Sequence, residues 1–172
     1  AVQAASGAEL WKSDGTEAGT TLVKDILSGS GSSFPQQLTG LNGTLLFQAT
    51  EGTNGEELWR SDGTEVGTTM VKDVAPGSGA SAPQQLTVAG GTLCFVASDG
   101  TAGSELWKSD GTEAGTALVR DVRPGSAGSS PQYLTASNGT LFFAANDGVN
   151  GGELWRSDGT ETGTVLVKDI CP

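Results

Sequence analysis

The segment ELWKSDGTEAGT, residues 9–20, recurs as ELWRSDGTEVGT at 57–68, ELWKSDGTEAGT at 105–116 and ELWRSDGTETGT at 153–164. Its tryptophans are Trp11, Trp59, Trp107 and Trp155, so the period is 59 − 11 = 48 residues, and it is the same in each step. A fixed period of this length is typical of a repeat protein, in which each unit buries its apolar surface against a neighbouring copy. The repeat therefore determines the architecture before any single side chain can be assigned a chemical role.

Each unit contains four short runs that are typical of β-strands, which we call strands A to D in chain order. In the last unit they are PQYLT (131–135), NGTLFFAA (138–145), GELWRSD (152–158) and GTVLVKDI (163–170). Asn42-Gly43, Gly90-Gly91 and Asn138-Gly139 predict tight A–B hairpins, because both central residues of such turns need a positive φ. The Asp-Gly pair of the repeated motif predicts a turn between strands C and D, and no segment shows helical periodicity.

Strand B predicts a sheet that is apolar on both faces. Alternation puts Leu141, Phe143 and Ala145 on one face and Phe142 and Ala144 on the other. A small sheet of this kind must lie between two like sheets, and the β-propeller achieves this by radial repetition. A β-solenoid or another stacked-sheet form is the alternative. We expect the four tryptophans to pack between neighbouring blades rather than to form a sugar-stacking platform.

The 48-residue period predicts one repeat domain over residues 1–172 with about 3.5 blades. Residues 1–26 correspond to a C–D half-blade, and residues 35–74, 83–122 and 131–170 correspond to blades. Ala1 aligns with Ala49 at the end of strand B, so the first unit is expected to present open strand edges. Because open edges pair with other chains, we expect self-association or further repeats of the same array rather than an isolated closed monomer.

The repeated phrase ELWKSDGTEAGT resembles the sequence signature of the ELWxxDGT repeat family, which is found in secreted and surface proteins of bacteria. The resemblance covers essentially the whole chain. It implies an extracellular or cell-surface β-propeller-like array with no defined reaction. Within that class, the near-identical units and the open strand edges favour a structural or self-assembling scaffold.

Composition disfavours several classes of function. Twenty acidic residues against nine basic ones give a net charge of −11, which repels the phosphate backbone of nucleic acids. No apolar run approaches the ~18 residues of a membrane-spanning helix. The chain has no histidine, which excludes Ser-His-Asp and Cys-His catalysis. A glycosidase that uses only carboxylates is the remaining enzymatic alternative, but the acidic residues recur with the repeat, whereas an active site usually needs asymmetric residues.

The two cysteines occupy non-equivalent positions in the repeat and show no metal-ligand spacing. Cys94 replaces the strand-B position of Leu46 and Phe142, so we interpret it as a core residue. The role of Cys171, next to the C-terminus, is left open, and an intermolecular disulfide is one alternative.

The Asp-Gly-Thr-Glu segments are the most regular acidic feature. The plain interpretation is a turn in which the Asp side chain caps backbone N–H groups. The functional alternative is a weak Ca²⁺ site, because carboxylate and carbonyl oxygens on a tight loop suit that ion. The residues concerned are Asp14, Glu17, Asp62, Glu65, Asp110, Glu113, Asp158 and Glu161.

A second candidate site is a rim formed by the B–C loops and the loops that connect strand D to the next strand A. In a propeller these loops share one edge, which would here be acidic and rich in amides, a chemistry suited to sugar hydroxyls or cations. The alternative is solvated loops whose charge maintains solubility. Both a lectin-like and a Ca²⁺-dependent binding module remain open, and the candidate rim residues are Glu51, Asp99, Asp147, Gln36, Gln84 and Gln132.

Overall fold

The computed structural model describes residues 2, 3 and 7–170, and all regular elements in this range are β-strands. Residues 36–168 form three four-stranded antiparallel sheets, in each of which strands A to D follow one another in sequence order. The predicted all-β architecture of four-stranded antiparallel units is confirmed. The strands are β5 (Gln36–Leu41), β6 (Thr44–Thr50), β7 (Glu56–Ser61) and β8 (Thr69–Lys72) in the second unit, β9 (Gln84–Ala89), β10 (Thr92–Ser98), β11 (Ser104–Ser109) and β12 (Ala117–Arg120) in the third, and β13 (Gln132–Ser137), β14 (Thr140–Asn146), β15 (Gly152–Ser157) and β16 (Val165–Lys168) in the fourth.

The first unit is a smaller version of the same arrangement. Its strands β1 (Val2–Gln3) and β2 (Gly7–Ala8) pair with each other, and β3 (Leu10–Lys12) pairs with β4 (Thr21–Lys24). The β3–β4 pair corresponds to strands C and D of the other units, as the sequence predicts. Ala1 and Cys171 lie outside the described residues.

The turns follow the predicted chemistry with one difference in length. Asn42 and Gly43 have φ values of 50° and 81° and join β5 to β6 as a two-residue hairpin turn. Gly90-Gly91 and Asn138-Gly139 do the same in the next two units. The C–D connection is longer than a tight hairpin, and residues 62–68 separate β7 from β8. The Asp-Gly pair begins a structured loop instead of forming the whole turn.

Each sheet has two different apolar faces. The tryptophan face of the third sheet contains Leu93, Phe95 and Trp107, and the leucine face of the second sheet contains Leu58 and Val71. These five side chains belong to one buried cluster. The two faces therefore pack against each other, and the prediction of a sheet that is apolar on both sides is confirmed.

The same pairing recurs at the other two junctions. Trp59 lies in one buried cluster with Leu10 and Val23 of the first unit, and Trp155 lies in another with Leu106 and Val119 of the third. Each tryptophan from the second unit onward thus packs on the leucine face of the unit before it. The predicted packing between neighbouring units is thus seen for Trp59, Trp107 and Trp155, whereas Trp11 of the first unit is partly exposed.

Basic side chains add a second, polar set of contacts at each junction. Lys12 Nζ donates to the Gly63 carbonyl of the next unit at 2.9 Å, and Lys24 Nζ donates to the Thr68 carbonyl at 2.8 Å. The equivalent bonds at the later junctions run from Arg60 to Gly111, Lys72 to Thr116, Lys108 to Gly159 and Arg120 to Thr164. We call these six hydrogen bonds the cation clamps. They use six of the nine basic residues of the chain.

The chain contains no helix long and apolar enough to cross a membrane within the residues described. This finding agrees with the absence of a long apolar run in the sequence.

The sheet-to-sheet packing predicts a large loss of stability when Phe95 is truncated. Its side chain is fully buried in the cluster between the second and third sheets, so Phe95→Ala should lower the free energy of unfolding by about 3–5 kcal/mol. Urea unfolding followed by tryptophan fluorescence measures the change. Val66→Ala, at a side chain that is 90% exposed, is the control and should stay within about 0.5 kcal/mol of the parent. Equal stabilities of the two variants would contradict this packing.

Candidate functional site

The Asp-Gly-Thr-Glu loops are closed by a dense set of internal hydrogen bonds. Asp62 Oδ1 accepts hydrogen bonds from the Thr64 amide at 2.8 Å and from the Thr64 hydroxyl at 2.7 Å. The same hydroxyl accepts a bond from the Gly67 amide at 3.0 Å, and Ser61 and Thr68 join their hydroxyls at 2.7 Å. The prediction that the aspartate caps backbone N–H groups is confirmed in all four units.

The second glycine of the motif has a steric reason. A Cβ atom on Gly67 would collide with the carboxylate of Asp62. The equivalent glycines, Gly19, Gly115 and Gly163, are equally close to Asp14, Asp110 and Asp158. The spacing Asp-Gly-Thr-Glu-x-Gly therefore encodes a compact loop around one carboxylate.

Hydrogen bonding stabilises the ionised form of these aspartates. The hydroxyl of Thr112, and then its amide, hold the pKa of Asp110 below the ordinary value. Thr16, Thr64 and Thr160 lower the pKa values of Asp14, Asp62 and Asp158 in the same way. The carboxylates are thus engaged within their own loops.

The geometry of these loops does not bring together a cluster of calcium ligands. Across residues 7–170 no three acidic, histidine or cysteine side chains come together in a group that could hold a metal ion. The loop glutamates Glu17, Glu65, Glu113 and Glu161 are exposed. Calcium binding at these loops stays an untested prediction.

The glutamate that opens the repeated motif has a structural role that the sequence did not reveal. Glu57 is fully buried and accepts hydrogen bonds from the amides of Val74 at 3.1 Å, Ala75 at 3.4 Å and Ser81 at 3.0 Å. It also accepts a bond from the Ser81 hydroxyl at 2.5 Å. One carboxylate thus fixes the whole loop that leads from strand D to the next strand A, and we call this residue the loop anchor.

The loop anchor recurs in every unit. Glu9 and Glu105 are buried and bind the equivalent amides and the hydroxyls of Ser33 and Ser129. Glu153 accepts a bond from the Ile170 amide at 3.1 Å. Burial raises the pKa values of Glu57 and Glu105, against the opposing effect of their hydrogen bonds. The sequence signal that could have revealed this contact is the recurrence of Glu before Leu-Trp with a Ser 24 residues later.

The predicted rim brings the two loop types together. Ala82 in the connection before strand A donates its amide to the Glu56 carbonyl of the preceding unit, while the Ser81 carbonyl accepts from the Ser98 amide of the following one. The D–A connection therefore lies against the ends of the strands that border the B–C loop. Equivalent bonds occur at the junctions on either side.

The acidic residues of the B–C loops are largely engaged in local hydrogen bonds. Asp99 accepts bonds from the amides of Thr101 and Ala102 at 2.8 Å each, Asp147 binds Asn150 and Glu51 binds the Asn54 amide group at 2.7 Å. Their first role is to shape the loop. Gln36, Gln84 and Gln132 begin strand A, as predicted, and all three are exposed.

A groove of about 350 Å³ lies on this rim at the junction of the third and fourth sheets. Gln84, Gln132 and Tyr133 line it together with Gln85, whose side chain bridges the Pro131 carbonyl and the Leu134 amide at 3.2 Å each. Tyr133 is 76% exposed. The groove therefore combines amide groups with one accessible aromatic ring.

Strand A is distorted beside this groove. Gln85 and Tyr133 have φ values of 54° and 60°, and Gln37 has 57° at the equivalent position of the second unit. The strand register shifts at the same place in each sheet. A positive φ is unfavourable for residues other than glycine, so the surrounding hydrogen bonds must maintain this bulge.

Cys94 is a buried free thiol in the cluster between the third and fourth sheets. Burial raises its pKa to about 11, so the thiol is protonated at neutral pH and is a poor nucleophile. Its predicted place in the core is confirmed.

The leucine face of the fourth sheet differs from those of the other units. Leu154, Val167 and Ile170 are 40%, 46% and 66% exposed, whereas Leu106 at the same position in the third unit is completely buried. Phe142 and Leu154 also border a shallow apolar groove on this surface. We call this surface the terminal leucine face.

Comparisons with known proteins provide no assignment. No protein-family model, no curated protein and no solved structure matches the chain.

The loop anchor predicts a strong effect of Glu57→Gln. A glutamine has one acceptor oxygen and introduces an N–H₂ group among buried donors, so at least one loop amide loses its partner at a cost of about 1–3 kcal/mol. We expect a lower melting temperature and faster hydrogen exchange at the Ser81 amide. Glu113→Gln removes the same charge at an exposed turn position and should leave both quantities nearly unchanged. The anchor role is refuted if Glu57→Gln melts with the parent protein.

The Asp-Gly-Thr loops predict a specific pH dependence. Thr112→Val removes the hydroxyl donor, so the pKa of Asp110 should rise toward its ordinary value of about 4, as measured by carboxyl-carbon NMR titration. Because the folded-state pKa of Asp110 lies below its unfolded value, its stabilising contribution is present above about pH 4 and is lost as the pH falls through the lowered pKa. Thr112→Val should therefore lose less stability than the parent protein as the pH falls from about 4 through the lowered pKa of Asp110. Asp62, whose threonine is unchanged, is the internal control, and an unaltered Asp110 titration would contradict the assignment.

Proposed function

We propose that this protein is a non-enzymatic, extracellular repeat module of the ELWxxDGT type that forms a rigid structural or self-assembling surface scaffold. The observation that carries the proposal is how the recurrent polar residues are used. The motif glutamate anchors a loop, the motif aspartate closes a turn, and the basic residue after tryptophan clamps the next unit. The motif is thus engaged in holding units together, which is the requirement of a scaffold.

A propeller-like arrangement of the units is part of this proposal. Neighbouring units join through both faces of their sheets, and their A strands lie side by side, with Thr39 and Thr87 donating to the Leu86 and Leu134 carbonyls of the next sheet at 3.3 Å. Radial packing of four-stranded sheets with strand A innermost has both properties. The extracellular location rests on the resemblance of the motif alone.

Several features support a role without catalysis. The chain has no histidine, and the buried carboxylates of the loop anchors point to backbone amides rather than to a groove. The asymmetric residue Cys94 is protonated and enclosed. Hydrolysis by two carboxylates would need an acid pair on either side of a substrate cleft. The aspartates of the acidic loops instead accept hydrogen bonds from groups in their own loops.

A lectin-like binding module is the second candidate, and the rim groove favours it. Amide side chains can bind sugar hydroxyls, and the exposed ring of Tyr133 offers a face on which a pyranose ring can stack. The amide positions Gln36, Gln84 and Gln132 recur from unit to unit, which would give multivalent binding, whereas the tyrosine occurs only in the fourth unit.

The scaffold proposal predicts that the protein self-associates in solution and binds neither calcium nor glycans. We expect a species heavier than one protomer in sedimentation equilibrium, an unchanged melting temperature when EDTA replaces calcium, and no binding on a glycan array. A calcium-dependent rise in melting temperature would follow from binding to the folded state and would favour the Ca²⁺-dependent module. Glycan binding that disappears in Tyr133→Ala but persists in Val66→Ala would favour the lectin, and a strictly monomeric protein would contradict self-assembly.

A further inference from the structure

The rim groove between the third and fourth sheets coincides with two residue differences among the repeats. Val96 and Ser104 line the groove on the side of the third sheet. The residues 48 positions earlier are Gln48 and Glu56, whose longer side chains form a hydrogen bond of 2.8 Å from Gln48 Nε2 to Glu56 Oε2. The third unit therefore leaves open the space that the second unit fills with a hydrogen-bonded pair.

Hydrogen bonds between the two units hold the backbone around this groove in place. The Ser130 amide donates to the Ser104 carbonyl at 3.0 Å. The side-chain amide of Gln85 joins the Pro131 carbonyl and the Leu134 amide at 3.2 Å each. A site whose walls are fixed in this way loses little conformational entropy when a ligand binds.

The groups that line the groove favour a neutral ligand with both donors and acceptors. Gln84 and Gln132 are exposed, and each carries an amide that donates and accepts hydrogen bonds. Ser104 and Ser130 add hydroxyl groups. The described residues that line the groove include no charged side chain, and the chain has a net charge of −11. A carboxylate ligand would therefore be repelled without gaining a cationic partner.

Contacts of the chain itself indicate which neutral group fits this environment. In the second unit the side chain of Gln48 lies directly opposite Gln36 in the sheet and is buried, with 8% exposed. In the third unit Val96 lies opposite Gln84, so Gln84 has an apolar neighbour where Gln36 has a carboxamide. The carboxamide of Gln85, at the edge of the groove, both donates and accepts. A carboxamide is thus the group that this junction already accommodates.

We propose that the rim groove binds the side chain of a glutamine residue in a partner polypeptide. The ligand's carboxamide takes the place that Gln48 has in the second unit and exchanges hydrogen bonds with Gln84, while Val96 contacts its methylene groups. A glutamine within a chain fits better than the free amino acid, whose carboxylate would be repelled. The inference goes beyond the scaffold function and does not depend on self-assembly. It differs from the lectin candidate, which places a sugar in the same groove.

Exchanging residues between the second and third units tests the site. The filled variant, Val96→Gln with Ser104→Glu, gives the third unit the Gln–Glu pair of the second. The opened variant, Gln48→Val with Glu56→Ser, makes the reverse change between the second and third sheets. The probe is N-acetylglutamine methylamide, and heteronuclear NMR follows the side-chain amides of the protein. The glutamate analogue of the probe adds a charge, and the norleucine analogue lacks the carboxamide.

We expect the blocked glutamine to shift the side-chain resonances of Gln84 and Gln132 saturably in the parent protein. The glutamate and norleucine analogues should bind about tenfold more weakly. The filled variant should lose these shifts, and the opened variant should show a second set at Gln36. Gln84→Ala, at an exposed position, should weaken binding about three- to tenfold through the loss of a hydrogen bond, which tests the site even if the filled variant does not fold.

Three results would overturn the inference. The first is the absence of a saturable shift with the blocked glutamine up to its solubility limit. The second is unchanged binding to the filled variant or to Gln84→Ala, which would place the ligand elsewhere. The third is a response to methyl glucoside but not to the blocked glutamine, which would assign the groove to the lectin candidate. Sedimentation equilibrium tests the scaffold function separately, so its failure and the failure of this site are distinguishable.

Discussion

The fold depends on one interaction, the packing of a tryptophan face on the leucine face of the preceding unit. Leu106 and Trp107 are neighbours on one strand, yet Leu106 belongs to the cluster with the fourth sheet and Trp107 to the cluster with the second. A sheet with two apolar faces cannot be stable alone in water, since it would expose one of them. Stability is therefore a property of the junctions, as in other repeat proteins.

The polar residues of the motif make this packing regular. The loop anchor fixes how strand D leads to the next strand A, and the cation clamps fix how far one C–D hairpin lies from the next. Burying a carboxylate is costly unless hydrogen bonds compensate it. Glu57 meets this requirement with three amides and one hydroxyl. The buried apolar area thus supplies the attraction between neighbouring units. The charged groups, which have defined hydrogen-bond partners, fix the position of one unit relative to the next.

Sequence reasoning predicted the elements well because their determinants are local. The Asn42-Gly43 turn, the alternation in strand B and the capping role of Asp62 all depend on residues close in the chain. The loop anchor escaped prediction because Glu57 and Ser81 are 24 residues apart. In addition, an acidic residue in a repeated motif suggests a side chain that faces solvent or binds a metal, not one that is buried and accepts hydrogen bonds from backbone amides. The bulge at Gln85 and Tyr133 was also missed, since neither residue normally favours a positive φ. The rim groove depends on this bulge, so the candidate site was predicted only as a set of loops and not as a shape.

The constant spacing of the cation clamps has a consequence for how such a chain can change over generations. Every clamp of one kind spans 51 residues and every clamp of the other kind spans 44. A duplication or deletion of one whole 48-residue segment leaves both spacings, and both apolar faces, intact at the new junction. Gain or loss of one repeat would thus change the size of the protein in steps of one unit without creating a junction that must be optimised anew. An insertion of another length within a strand would shift its alternation and disrupt the pairing of faces, so changes of whole units preserve the junctions best.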